Sequence, residues 1–274
     1  GEPCAGNPKP RLWRLPKHKS IVVYYGLKNP GCTAIAKKLA GKKFAFPLGI
    51  SVAKTNCPET VDIDAGIRDY VKAFQTLEPY ADYLTINISC PNAYGGQPFT
   101  DEKKLEQLLG ETDKIKTKKS VFLKISPDLS KEQINQLLKV TQKHNVQGWI
   151  ISNLTKEREK SGISPEEFSK VGPGGLSGKL VEKRANEMIS YVYQKTGGKL
   201  TIIGVGGIFT AEDAYEKIRR GASLLQMITG MIFEGPQVVG KINHGLVKLL
   251  EQDGYQNIAE AVGAYHRKYN TLHS

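Results

Sequence analysis

Cysteine is scarce in this chain, and its placement argues against two common ways of stabilising a domain. Only four cysteines occur among 274 residues, with no Cys-x-x-Cys pair and no histidine at metal-ligand spacing. A structural zinc site and a disulfide framework are therefore both disfavoured, and no metal is expected. The free thiols Cys4, Cys32, Cys57 and Cys90 fit a reducing cytoplasm.

Long apolar runs and an excess of acidic residues are also absent. No stretch approaches the roughly 18 apolar residues of a transmembrane helix, and residue 1 begins no signal peptide. The formal charge is +12, but the lysines are scattered, without the aromatic-interleaved basic stripe that is typical of nucleic-acid binding. We expect a soluble, cytoplasmic protein whose basic surface suits an anionic substrate, a cofactor phosphate or lipid headgroups, and no nucleic-acid partner.

A strand-helix unit repeats along most of the chain, and the length suits one domain. Residues 1–45 look irregular, with a turn-rich loop leading into a short helix at about 33–39. Six near-continuous apolar runs, each followed by a helical pattern, then predict a parallel sheet covered by helices. The predicted strands are 46–52, 83–89, 121–125, 148–153, 200–205 and 223–229.

Polar residues at the carboxyl ends of nearly every predicted strand favour a βα barrel over a doubly wound sheet. A barrel gathers functional groups from many strands at one mouth, whereas a doubly wound sheet concentrates them at one switch point. A barrel needs eight strand-helix units and six are visible. We therefore predict an α/β TIM (β/α)8 barrel that is incomplete in this chain.

The segment Asn87-Ile-Ser-Cys-Pro-Asn92 follows the second predicted strand and is the leading candidate for chemistry. An accessible thiolate at Cys90 can serve as a nucleophile or a base. The alternative is a small buried hydrophobe, which describes most free cysteines. Because two amides flank the thiol within six residues and no packing need explains them, we favour the functional interpretation.

Glycines after the fifth strand allow a second hypothesis. In Gly204-Val-Gly-Gly-Ile208, bare backbone amides at Gly206 and Gly207 can approach an anion closely, which is typical of a phosphate site. The same pair can equally serve to let a helix pack on its strand. Both interpretations stay open at this point.

Five motifs in order resemble the successive signatures of dihydroorotate dehydrogenases, FMN-dependent barrels of pyrimidine biosynthesis. The motifs are Asn87-Ile-Ser-Cys-Pro-Asn92, Lys124-Ile-Ser-Pro-Asp128, Gly174-Gly-Leu-Ser-Gly178, Ile202-Ile-Gly-Val-Gly-Gly-Ile208 and Gly221-Ala-Ser-Leu-Leu-Gln226. The likeness extends from about residue 6 to residue 266. The segments 6–15 and 233–236 most resemble the quinone-dependent, membrane-associated class, which implies dihydroorotate as substrate and a quinone as electron acceptor.

The resemblance implies a role for each matching residue. Cys90 stands where the family has the general base that takes a proton from dihydroorotate. The implied substrate contacts are Tyr25, Gly26, Leu27, Asn87, Asn92, Asn153 and Leu154. The implied FMN contacts are Ser51, Asn87, Lys124, Ser152, Gly178, Gly207, Ile228 and Thr229.

Several residues depart from the family pattern. The quinone-dependent class ordinarily has serine as the base, and the cysteine of Cys90 belongs to the soluble classes. Val23 stands where an orotate-binding asparagine is usual, Leu154 where a threonine or serine is common, and Ser51 where an asparagine reaches the flavin. These departures bear on the acceptor and on orotate affinity.

The N-terminal region raises a further expectation. Family members have two strand-helix units before the region matching Gly6, and those units carry a lysine that contacts flavin and substrate. We expect a chain without them to bind FMN poorly, with any peripheral membrane association residing upstream.

Two other features are open to more than one interpretation. The segment 154–174 lacks periodicity and is either a lid or slack, of which we favour a lid. All five histidines are interpreted as exposed residues: His18, His144, His244, His266 and His273.

Other functions remain open on the sequence alone. They are a different FMN barrel that reduces pyrimidines, a non-redox barrel that binds a sugar phosphate, and an inactive scaffold. The presence of bound flavin in the purified protein would distinguish the FMN barrel from the non-redox barrel.

Overall fold

The computed structural model describes residues 1–270, in which nine strands and eleven helices follow one another along the chain. The strands are β1 (Leu12–Leu15), β2 (Ser20–Val23), β3 (Gly49–Val52), β4 (Tyr83–Asn87), β5 (Ser120–Ile125), β6 (Gly148–Ile151), β7 (Gly175–Gly178), β8 (Thr201–Val205) and β9 (Leu224–Gln226). The helices are α1 (Cys32–Leu39), α2 (Ile63–Leu77), α3 (Glu102–Thr112), α4 (Lys131–Thr141), α5 (Pro165–Ser169), α6 (Glu182–Thr196), α7 (Ala211–Arg219), α8 (Thr229–Glu234), α9 (Val238–Gln252), α10 (Ile258–Ala261) and α11 (Ala264–Asn270). Contacts group them into two compact units.

The first unit comprises residues 1–11 and 24–147. Its strands β3, β4 and β5 pair in parallel in chain order, and α2, α3 and α4 follow them in turn. Helix α2 begins where the Asp62 side chain accepts a hydrogen bond from the Ala65 N–H, and it buries an apolar face that includes Tyr70 and Phe74. Helix α4 begins at a capping box formed by Ser130 and Gln133. Three of the six predicted repeats are therefore confirmed here.

The second unit comprises residues 12–23 and the chain from residue 148 onward. Its strands β6, β8 and β9 pair in parallel, with α6, α7 and α9 among the helices between and after them. Thr210 caps α7 in a reciprocal capping box with Asp213. A second, antiparallel sheet joins β1, β2 and β7. The remaining three repeats are confirmed.

Strand boundaries differ from the predictions in several places. Residues 1–45, expected to be irregular, contain β1 and β2, because their apolar runs pair with each other and with β7. The predicted strand from residue 46 begins at Gly49, since Phe46 is 62% exposed. The last parallel strand ends at Gln226, so Thr229 lies at the start of α8 and not at a strand end.

The prediction of exposed histidines is wrong for three of the four histidines whose side chains are described. The imidazole of His144 lies 2.7 Å from Asp113 and is only 9% exposed. His18 contacts Glu167 at 3.0 Å, and the His266 ring stacks on Tyr193. Only His244 among them is exposed, and His273 lies outside the described residues. In each wrong case a tertiary partner far along the chain covers the ring.

The segment 154–174, predicted to be a lid or slack, contains α5 and is tied down at its end. The Arg158 guanidinium donates hydrogen bonds to the carbonyl oxygens of Gly172 and Gly174, at 2.7 and 2.8 Å. Burial lowers the pKa of Arg158. Closure of the segment over a ligand stays a prediction.

Among residues 1–270, none of the helices combines the length and the apolar character needed to cross a membrane.

A buried lysine in the second unit leads to the first prediction. The Lys217 side chain is fully buried, and its Nζ donates a 2.6 Å hydrogen bond to Asn186 Oδ1. Burial lowers the pKa of Lys217 to about 8 from the ordinary value of 10.5, with partial compensation by the carboxylates of Glu182 and Asp213. At pH 8 to 10 the unfolded chain therefore binds more protons at this lysine than the folded chain does.

Stability should consequently rise with pH in that range. For wild type relative to Lys217→Met, we expect the free energy of unfolding to increase by about 2 kcal/mol from pH 8 to pH 10. Urea titrations of both proteins at the two pH values measure this difference. Parallel behaviour of the two proteins would contradict a depressed lysine pKa.

Candidate active site

In the first unit, the predicted functional residues lie at the carboxyl ends of β3, β4 and β5. Asn87 and Lys124 are direct partners in the register of β4 and β5. Cys90 follows Asn87 in the loop after β4 and is partly exposed. One small cavity is lined by residues that include Leu27, Lys54, Asn87 and Cys90. The structure thus brings the predicted base, one predicted amide and the substrate loop together.

The Asn87 side chain is oriented by its neighbours. Its Oδ1 accepts hydrogen bonds from the backbone N–H and the hydroxyl of Ser89, at 3.1 and 2.6 Å. Its main-chain oxygen accepts a 2.7 Å bond from the hydroxyl of Tyr70, which is buried against Phe99. Because Oδ1 is engaged, the NH₂ group of Asn87 is the part of the amide left for a ligand. This orientation suits a planar substrate with carbonyl acceptors.

Two lysines lie close enough to Cys90 for its thiolate to affect them. Burial lowers the pKa of Lys124, and the Cys90 thiolate partly offsets that effect. Burial likewise lowers the pKa of Lys54, with opposing contributions from Cys57, Asp69 and Cys90. A thiolate near two ammonium groups is stabilised relative to the thiol. Cys90 therefore lies within electrostatic range of both lysines.

Lys124 also provides a test of whether an anionic cofactor fits this site. Within residues 1–270, no carboxylate forms an ion pair with Lys124. A desolvated cation without a carboxylate partner is costly to keep charged unless a ligand supplies the negative charge. The chemistry of this position fits a flavin ring that becomes anionic on reduction.

The remaining predicted residues of the first unit differ in exposure. Gly26 and Leu27 both have positive φ, +63° and +59°, which turns the substrate loop sharply. Tyr25 is 48% exposed, and Ser51 lies exposed on β3. Asn92 is partly buried, and its main-chain oxygen accepts a hydrogen bond from Asn7 Nδ2.

In the second unit, two of the predicted FMN contacts, Gly178 and Thr229, lie at the end of β7 and the start of α8. The hydroxyls of Thr229 and Ser177 are 2.9 Å apart, and Thr229 is buried. Gly178 has a φ of +102°, and a Cβ there would lie 2.5 Å from the Lys19 carbonyl oxygen. Only glycine therefore fits at position 178.

The other predicted residues of the second unit fall into two groups. Ser152 is fully buried after β6, and its N–H donates to the Val205 carbonyl oxygen at 3.2 Å. Asn153 follows it and is partly buried, whereas Ile228 is 55% exposed. Leu154 packs so tightly on Gly175 that a Cβ at that glycine would lie 2.0 Å from Leu154 Cδ1. The presence of leucine at position 154 is therefore explained by its packing on Gly175.

Packing also explains the glycine at position 207, and this leads to the second prediction. Its φ is +77°, and a Cβ would lie 2.3 Å from Glu182 Cβ, whereas Gly197, with a φ of +58°, has open space around it. Gly207→Ala combines overpacking with a left-handed backbone and should cost about 3 kcal/mol of stability. Gly197→Ala should cost about 1 kcal/mol, from the backbone alone. Chemical denaturation of both variants measures the difference, and equal losses would contradict tight packing at Gly207.

Sequence reasoning missed four residues that shape these sites. They are Asn7, Asn56, Tyr70 and Ser177, each of which bonds a predicted residue or its loop. Lys54, which donates to the Tyr94 carbonyl oxygen, was likewise not predicted. The sequence offers little signal for the four, because each bonds a partner that is 17 or more residues away along the chain.

Comparisons with known proteins agree with this geometry. The family model described as dihydroorotate dehydrogenase matches residues 1–250. A protein of Synechocystis sp. named dihydroorotate dehydrogenase (quinone) is 41% identical over 264 residues, covering 94% of this chain and 69% of that protein. A Myxococcus xanthus protein of the same name is 39% identical over 271 residues, covering 97% of this chain and 72% of its own length.

A solved structure shows the same fold. Ligand-free DHODH from Eimeria tenella is 28% identical and superposes with a TM-score of 0.87, covering 97% of this chain and 79% of that one. The predicted α/β barrel class is thereby confirmed, and this chain belongs to the dihydroorotate dehydrogenase family.

Proposed function

We propose that this chain oxidises dihydroorotate to orotate in pyrimidine biosynthesis, with Cys90 as the general base, FMN as the cofactor and a quinone as the electron acceptor. The observation that carries the proposal is the placement of Cys90 beside Asn87 and Lys124 at the carboxyl ends of β4 and β5. Relatives that cover most of the chain carry the name dihydroorotate dehydrogenase (quinone).

The proposed chemistry uses Cys90 to remove a proton from C5 of dihydroorotate. The thiolate gains the proton at Sγ, and the C5–C6 bond of the substrate becomes a double bond as a hydride leaves C6. FMN, when bound, supplies the hydride acceptor. An ordinary cysteine thiol has a pKa near ~8.5, so a fraction of such a group is already thiolate at neutral pH.

The amides and the substrate loop would orient the substrate. The free NH₂ group of Asn87 would donate to a carbonyl oxygen of the pyrimidine ring. Tyr25, Gly26, Leu27 and Asn92 would contact the same ligand in the first unit, and we propose substrate contacts for Asn153 and Leu154 of the second unit. Leu154, with no hydrogen-bonding group in its side chain, would contribute apolar contact only.

We also assign the flavin contacts from the residues that fit an anion. Lys124 and Asn87, with Ser51, would contact the ring. In the second unit, Gly178, Gly207 and Thr229 would hold the phosphate through backbone amides and a hydroxyl, and Ser152 and Ile228 would contact the cofactor. The positive φ of both glycines and the buried hydroxyl of Thr229 support this assignment.

The acceptor is tested by steady-state turnover without oxygen. Orotate formation is followed with a short-chain ubiquinone analogue, fumarate or NAD⁺ as the sole acceptor. We expect turnover with the quinone and at least ~100-fold less with the other two, since the site must discriminate acceptors of different chemistry. Preferred use of fumarate or NAD⁺ would overturn the quinone assignment while leaving the oxidation of dihydroorotate intact.

A further inference from the structure

Two asparagine side chains outside the predicted site, Asn7 and Asn56, connect the loop of Cys90 with the substrate loop. Asn56 Oδ1 accepts a 2.7 Å hydrogen bond from the Tyr94 N–H, four residues after Cys90. Asn56 Nδ2 donates to the Gly26 carbonyl oxygen at 3.1 Å and to Asn7 Oδ1 at 3.0 Å. Asn7 Nδ2 then donates to the Asn92 carbonyl oxygen at 3.1 Å.

The partners fix the orientation of both amides. A backbone N–H can only donate, so the oxygen of Asn56 must face Tyr94. The carbonyls of Gly26 and Asn92 can only accept, so the NH₂ groups must face them. Asn7 is 9% exposed, so rupture of these bonds would leave polar groups without water to replace them. The pair therefore has one satisfied arrangement.

The substrate loop is built around the same pair. At Gly26, where φ is +63°, a Cβ would lie 2.5 Å from Asn7 Cγ and 2.7 Å from Asn56 Nδ2. A side chain at this position would push both amides away. The glycine at position 26 is thus explained by the close packing of the loop backbone against the side chains of Asn7 and Asn56.

Lys54 strengthens the hold on the Cys90 loop. Its Nζ, on a side chain that is 4% exposed, donates a 2.7 Å hydrogen bond to the Tyr94 carbonyl oxygen. Lys54 and Asn56 therefore bind both polar groups of the Tyr94 backbone, whereas the Tyr94 side chain itself is 54% exposed. The loop is held by its main chain at this point.

We propose that Asn56, together with Asn7, is a positioning residue that fixes the loop of the base Cys90 and the substrate loop relative to each other. The inference rests on the proposed function. Loss of Asn56 removes a hydrogen bond from each loop, so it affects substrate binding and the base at once, although Asn56 is not among the residues proposed to bind the substrate or to act as the base.

The test compares wild type, Asn56→Ala and the matched control Asn145→Ala. In the wild type, the Asn145 side chain accepts a hydrogen bond from Gln147 in the turn before β6. Two readouts are independent of turnover: the dissociation constant of orotate, and the rate of alkylation of Cys90 by iodoacetamide, followed by peptide mass spectrometry. We expect Asn56→Ala to weaken orotate binding about tenfold and to change the Cys90 alkylation rate about fivefold or more, as one lost buried hydrogen bond to each loop implies. Asn145→Ala should stay within about twofold of wild type in both.

Asn56→Ala values equal to those of Asn145→Ala would overturn the inference. If Asn56→Ala does not fold, Asn7→Ser replaces it; this variant removes the link to Asn92 and must change the Cys90 alkylation rate for the inference to stand. Steady-state kinetics add a signature, since KM should rise and kcat should fall together. A wild-type protein that binds no orotate would instead refute the proposed function, and the two failures are distinguishable.

Discussion

Cys90→Ala is expected to slow the reduction of bound FMN by dihydroorotate by about 10³-fold, because general-base catalysis contributes about 10²- to 10⁴-fold in enzymes. As a thiolate, the Cys90 side chain can accept a proton and become neutral, which an alanine side chain cannot do. The amides of Asn87 and Asn92 remain in place, so orotate affinity should change little. Anaerobic stopped-flow spectroscopy measures the rate.

Cys57→Ala is the matched control for this substitution. Cys57 is a second partly exposed free thiol in the same unit, and its Sγ lies 3.8 Å from the Thr60 hydroxyl. Reduction by dihydroorotate should proceed at nearly the wild-type rate in this variant. A Cys90→Ala protein as fast as Cys57→Ala would rule out Cys90 as the base.

Lys124→Met should lower the same rate by about 10²- to 10³-fold, the usual effect of removing one preorganised electrostatic group. Methionine keeps most of the apolar volume of the lysine but removes the charge that faces the Cys90 thiolate and, in the proposed complex, the reduced flavin. Both the base and the reduced cofactor are then less stable. The reduction potential of the bound flavin should fall, which a dye-coupled titration measures separately from the rate.

Lys118→Met is the control for Lys124→Met. Lys118 is exposed just before β5 and changes the net charge by the same amount. Its substitution should leave the rate and the potential unchanged. Equal effects of the two substitutions would show that Lys124 acts only through the overall charge of the protein.

The residues at the strand ends of the first unit were predictable from sequence because periodicity locates them. An apolar run that ends in polar residues places Asn87 at the carboxyl end of β4, and a lysine inside the run 121–125 identifies Lys124 as a partly buried cation. Parallel pairing brings the carboxyl ends of β4 and β5 to the same edge of the sheet, where Asn87 and Lys124 are partners in the register.

The supporting contacts were not predictable, because they join residues that are far apart in the chain. The Tyr94 N–H and Asn56 are 38 residues apart, and the two paired amides are 49 residues apart. No local pattern distinguishes such asparagines from those of ordinary loops. Thr229 was placed at a strand end for a different reason, because the apolar run 223–229 continues past the end of β9 into the start of α8.

Anaerobic addition of dihydroorotate to the FMN-loaded protein, expressed from its complete reading frame, tests the central claim most directly. We predict rapid bleaching of the flavin band near ~450 nm together with the appearance of orotate in equal amount. A protein whose bound flavin stays yellow with dihydroorotate, or one that binds no FMN when the cofactor is supplied in excess, would contradict the account.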